Sequence, residues 1–71
     1  MNARQNNMSQ GALFEAIRAI SFVMDELRLY LDTHPKDKKA LNMFLDYMKQ
    51  RHDLIAEYTN KYGPIDSAFD K

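Results

Sequence analysis

The chain has 71 residues, no cysteine, and ten basic side chains against ten acidic ones. That length allows a single domain, and without cysteine neither disulfides nor thiolate metal sites are possible. The charge balance argues against holding a phosphate backbone or an anionic membrane by electrostatics, and no apolar run approaches the ~18 residues that span a bilayer.

A domain this small buries only ~60% of the surface its unfolded chain exposes, so its stability is marginal without a supplement. With disulfides and metal set aside, a partner chain is the expected supplement. Near-zero net charge also favours self-association. The lack of cysteine fits assembly in a reducing cytosol.

Residues 1–10, "MNARQNNMSQ", are polar and read as a flexible tail. They lack the apolar segment of a secretory signal, so export by the general route is not expected. Residues 11–65 carry a helical pattern, and 66–71 read as a C-terminal tail. Ser9 is a candidate N-cap, since its hydroxyl can accept from a free backbone N–H. Gly11 weakens the first turn, which moves the expected start of order towards Ala12.

From there apolar residues fall at Leu13, Ile17, Ile20, Met24, Leu27 and Leu31. Steps of four and three are the spacing of a heptad seam. Phe14, Phe22, Val23 and Tyr30 widen the stripe beyond a narrow seam, which predicts contact with more than one neighbour.

The break follows in "LYLDTHPKDKKAL", Leu29 to Leu41. The residue before a proline is pushed away from helical geometry, so His34 is the natural stop. Pro35 suits the first turn of a following helix. Asp32 or Thr33 is expected to cap that helix, with Asp37 favourable at its start. Lys36, Lys38 and Lys39 oppose the helix dipole there and read as solvated charge.

The second run has apolar positions Leu41, Phe44, Leu45, Met48, Ile55, Tyr58 and Tyr62, with Arg51 and His52 in the gap. Lys38, Lys39, Asn42, Asp46, Lys49, Asp53 and Lys61 form the opposite, polar face. Glu57 and Lys61 are a favourable i,i+4 pair. "KYGPI" ends the run: Gly63 is placed for a left-handed C-cap, and Pro64 prevents continuation. Ile65 and Phe69 can fold back on the hairpin or grip a partner.

Each run spans about 20 residues, or roughly 30 Å of helix. Similar lengths joined by a short link favour an antiparallel pair. The expected fold is all-α: an antiparallel two-helix hairpin with a short C-terminal extension. Two helices cannot cover both wide apolar faces, so the hairpin is expected to complete a bundle by oligomerisation or partner docking.

The pattern offers no catalytic set. Asp32 and His34 supply too few ligands for a closed metal site, and His52 lies well along the second helix. The Glu-x-x-His motif of bundle metal sites is missing, because Arg18, Leu29 and Asn60 stand three residues after Glu15, Glu26 and Glu57. Ser9, Ser21 and Ser67 have no histidine beside them. Gly11 and Gly63 are the only glycines, too few for a phosphate loop. No enzymatic activity, cofactor or metal is therefore expected. A helix-turn-helix reader of DNA is conceivable from topology, but Asp37 among the lysines and the neutral charge weigh against it. Tyr30, Tyr47, Tyr58 and Tyr62 suit helix edges and interface anchors.

The segment Leu29, Tyr30, Leu31, Asp32, Thr33, His34, Pro35, with Asp37, Ala40 and Leu41, resembles the CotJB family of small bacterial spore coat proteins. Tyr47, Tyr58, Tyr62, Gly63 and Pro64 continue the likeness, and Ile65 departs from an expected leucine. The resemblance covers Leu13 to Ile65. It implies a non-enzymatic component of the spore coat, assembled from the mother-cell cytoplasm. It also implies co-assembly with a manganese-catalase-like coat protein, any manganese belonging to that neighbour. The motif residues Tyr30, Leu31, Asp32, Thr33, His34, Pro35, Asp37, Tyr58, Tyr62, Gly63 and Pro64 become candidate docking positions. Two other readings stay open: an accessory subunit that stabilises or positions a metalloenzyme, and a small nucleic-acid-binding regulator.

Overall fold

The computed structural model describes residues 8–65. Helix α1 runs from Gln10 to Thr33 and helix α2 from Lys38 to Tyr62, and they pack against each other as an all-helical hairpin. No strand occurs among the described residues. The expected tail segments 1–7 and 66–71, with Ser67 and Phe69, lie outside them.

Ser9 caps α1: its Oγ accepts from the Ala12 N–H at 3.1 Å, and its carbonyl accepts from Leu13 N–H at 2.9 Å. Gly11 consequently sits inside the helix, and order starts before Ala12 rather than at it. A serine cap contributes about 1 kcal/mol, enough to offset the similar cost of one helical glycine.

The link between the helices differs from the expected one. Asp32 and Thr33 still belong to α1, so neither caps α2. Asp37 does, its Oδ1 accepting from Ala40 N–H at 3.0 Å. Pro35 and Lys36 form the turn itself, so Pro35 precedes the cap instead of occupying the first helical turn. The reason is geometric: reversing the chain needs residues with non-helical backbone after Pro35, and Asp37 is the first side chain beyond them that can reach a free N–H.

At its far end α2 stops at Gly63, whose N–H donates to Thr59 O at 3.0 Å. Gly63 has φ +93° and ψ −177°. The positive φ was expected, but ψ is extended rather than left-handed helical, a combination open essentially to glycine alone. It turns the chain so that Ile65 packs back on the core. Lys61 Nζ meets Glu57 Oε2 at 2.9 Å, as the i,i+4 spacing implied.

The core sits at the open end of the hairpin. Leu13, Ile17 and Tyr58 are buried to 2% exposure or less, with Met8, Phe14, Leu54, Ile55 and Ile65 packed against them. Gln10 Nε2 donates to Tyr58 Oη at 2.9 Å, giving that buried hydroxyl a partner. Along α2 the inward strip is Ala40, Phe44, Tyr47, Arg51, Leu54 and Tyr58. Arg51 occupies the middle of this strip, and its Nε donates to Ser21 Oγ at 2.7 Å across the hairpin.

The inward strip is therefore not the full apolar face read from the sequence. Leu41, Leu45 and Met48 stand beside it and are 42%, 49% and 43% exposed. A single neighbouring helix covers only a narrow strip of a wide face. On α1, Phe22 and Leu29 are likewise left in solvent.

Candidate docking surfaces

The turn motif folds into one bonded cluster. Tyr30, in the last turns of α1, donates its hydroxyl hydrogen to Asp37 Oδ2 at 2.7 Å. The other carboxylate oxygen of Asp37 caps α2. One side chain thus ties the end of α1 to the start of α2. The His34 ring lies flat on Tyr30, with centroids 4.1 Å apart and planes within 4°. Its Nδ1 is 2.9 Å from Thr33 Oγ1 and 3.1 Å from Tyr30 O. Thr33 Oγ1 also donates to Tyr30 O at 3.1 Å. His34 further ends α1 by donating its backbone N–H to Tyr30 O, while Asp37 N–H donates to His34 O at 3.1 Å.

The electrostatics follow from these bonds. Asp37 is held below the ordinary carboxylate value, first by the Ala40 N–H and then by the Tyr30 hydroxyl. The Lys39 N–H and the charge of His34 act the same way, while partial desolvation opposes them. Tyr30 is raised above 10.0, chiefly because its hydrogen is engaged by Asp37, with desolvation and the Asp37 charge adding to the effect.

The other motif residues divide between the two ends of the hairpin. Asp32, Thr33, His34 and Pro35 are exposed around the turn, and Leu31 is half-buried. Tyr58 is spent on the core, 2% exposed. Tyr62 is 41% exposed, stacks edge-on with Tyr58, and donates its hydroxyl to Met8 O at 3.5 Å. Gly63 and Pro64 end α2. The motif is therefore two sites, a turn clasp and a closing end, and not one continuous patch.

Sequence reasoning missed the side-chain pairings between distant residues, and two of them show why. The Tyr30–Asp37 bond joins residues seven apart across a turn, a distance at which no helical period applies. Its one legible signal was an Asp three residues before Ala40, at the head of the second run. The Ser21–Arg51 bond had no signal, since a charged residue between Met48 and Ile55 reads as a gap in the stripe.

Among the described residues, two apolar surfaces besides Phe22 and Leu29 are open to solvent. Beside the turn, Leu27, Tyr30, Asp37, Lys39, Ala40 and Met43 line a shallow cleft of about 260 Å³. On the other side of the hairpin, Leu41, Leu45 and Met48 repeat at four and three residues along α2. Among the described residues no group of three or more His, Cys, Asp or Glu is placed to hold a metal ion. No helix among them is long and apolar enough to cross a membrane.

The CotJB protein family model matches residues 11–70, both helices and the turn between them. The chain belongs to the CotJB family. No curated protein and no solved structure matches it. The CotJB match contains the whole segment, Leu13 to Ile65, on which the resemblance rested. CotJB is a structural family of the spore coat, and membership makes this chain a spore coat protein. Within the CotJB segment, Tyr30, His34, Pro35 and Asp37 have a common physical purpose, the closing of the hairpin turn.

Proposed function

We propose that this chain is a non-enzymatic assembly component of the coat, joining its neighbours through helix-to-helix contacts. It is made in the mother-cell cytoplasm, self-associates, and co-assembles with a manganese-catalase-like coat protein. The observation that carries this reading is the mismatch between core and surface. Among the described residues Leu13, Ile17 and Tyr58 are buried to 2% exposure or less, whereas Phe22, Leu29, Leu41, Leu45 and Met48 remain 42% to 64% exposed. Apolar residues in such numbers on a small domain mark an interaction surface. No part of this reading uses catalysis, nucleic acid or a membrane.

Co-expression with the catalase-like neighbour tests it. The expected result is co-purification of the two chains, and loss of the neighbour from the assembled coat when this chain is deleted. A neighbour recovered in full without this chain, together with no co-purification, overturns the proposal. If deletion instead lowers the neighbour's metal content or activity while its place in the coat is unchanged, the chain is an accessory subunit of that enzyme.

A further inference from the structure

We infer that the outer face of α2 is the seat of a second copy of this chain, docked antiparallel about a two-fold axis. This deepens the assembly reading and rests on it. The positions Leu41, Leu45, Met48, His52, Ile55, Thr59 and Tyr62 follow steps of four, three, four, three, four and three. That is heptad spacing along the whole helix, apolar at five of the seven positions and polar at His52 and Thr59. It is separate from the inward strip that meets α1, apart from the half-buried Ile55, at the edge of both, and Tyr62, which stacks on Tyr58 and reaches Met8 O. A helix carrying two adjacent seams is built for two neighbours, and the hairpin supplies only one.

The spacing of the seam is self-complementary. With the two-fold placed between Met48 and His52, Leu45 of one copy stands opposite Ile55 of the other, and Leu41 opposite Thr59. In such an isologous interface every contact is made twice.

The charges on α1 agree independently. Ser21, Met24, Asp25 and Arg28 open on the same side of the hairpin as Arg51. The Ser21–Arg51 bond fixes which residues of α1 lie level with the middle of the seam. Arg18 and Asp25 straddle that level to within about one 1.5 Å helical step. The axis that pairs Leu45 with Ile55 therefore brings Arg18 opposite Asp25 of the other copy, in both directions. Both side chains are about three-fifths exposed; within the hairpin Arg18 pairs with Glu15 at 3.3 Å and Asp25 with Arg28 at 2.8 Å, exposed i,i+3 pairs that are weak enough to exchange for a partner across the interface.

Two further quantities favour a second copy. The formal net charge is zero, so two copies meet without mutual repulsion. The side of the hairpin that carries the seam, with α1 included, measures about 37 by 20 Å, from a 25-residue helix and two helix diameters. That is about 700 Å² per copy, close to the ~800 Å² of a standard stable interface.

The test is sedimentation of the full chain over a concentration series, with far-ultraviolet circular dichroism confirming helicity. The wild type is expected to be a dimer. Leu45→Lys with Met48→Lys is expected to raise its dissociation constant at least about 100-fold. Arg18→Asp alone is expected to weaken the dimer about tenfold, and Arg18→Asp with Asp25→Arg to restore it. Such rescue has no explanation in the fold of one hairpin. A wild type that stays monomeric at its highest soluble concentration overturns the inference, as does a double charge swap that fails to rescue. A monomer that still co-purifies with the catalase-like neighbour removes this dimer and leaves the coat role standing. A dimer excluded from the coat supports the interface and removes the coat role.

Discussion

Leu13→Ala acts on the cluster where, among the described residues, the two helices enclose large side chains. Leu13 is fully buried, and its neighbours Ile17 and Tyr58 are nearly so. The substitution removes three carbon groups from that cluster, and at ~0.8 kcal/mol for each the lost transfer energy is about 2.4 kcal/mol. A residual cavity adds to this, and large-to-small changes in cores span ~2–5 kcal/mol. Here the cavity lies at the open end beside Met8 and Ile65, where the chain can settle inward, so about 2–3 kcal/mol is expected. In a domain of this size that lowers Tm by ~10–20 °C. Thermal unfolding followed by circular dichroism measures it, with protein concentration held fixed because association shifts Tm. Phe22→Ala is the matched control: Phe22 is 64% exposed, and its loss is expected to stay within ~0.5 kcal/mol. A Leu13→Ala protein that melts with the wild type, or a Phe22→Ala protein that suffers more, would refute the placement of the core.

Asp37→Ala removes the α2 cap and the acceptor of Tyr30 together, whereas Asp32 has no capping role, so Asp37→Ala is expected to lower Tm clearly more than Asp32→Ala; equal losses would contradict the assigned cap. The same pair predicts a pH window. Asp37 has its carboxyl depressed in the folded state, so its stabilisation is present above the ordinary value of 3.8 and lost as pH falls through the lower folded value. Tyr30 is raised, so its contribution is present below 10.0 and lost as pH rises through the folded value. Stability measured in buffered steps, wild type against Tyr30→Phe, should differ between those limits and converge beyond them; a constant difference across the range would exclude the bond. Gly63→Ala is expected to cost about 1–3 kcal/mol by chemical denaturation, from backbone strain alone, because nothing lies within 4 Å of an added Cβ. A neutral result would show that the chain leaves α2 by another path.

Local grammar made much of the hairpin legible. Ser9 and Gly63 were readable because caps and stops depend on nearest neighbours in sequence. The inward seam of α1 was readable because Leu13 to Leu31 keep one heptad without interruption, and all six are buried or half-buried. The α2 seam was not, because two stripes overlap on it and the inward one carries Arg51 and small Ala40, which look unlike core. Which stripe meets α1 is settled by packing across the hairpin, between residues some 30 to 50 apart. The turn showed the same division: Pro35 marked the break, but the choice of Asp37 over Asp32 as cap depended on the path between the helices.

The clasp at the turn joins residues seven apart, while the Gln10–Tyr58 bond at the open end joins residues 48 apart. Loop closure costs more entropy for the longer span, so the chain should zip from the turn outward and seal its ends last. Rapid-mixing or temperature-jump kinetics can read this order: substitutions at Tyr30 or Asp37 should slow folding, and those at Leu13 should mainly hasten unfolding. The reverse pattern would mean that the distant ends meet first. With the sealing contacts formed last, the apolar end is the part of a newly made chain that stays open longest to a neighbour.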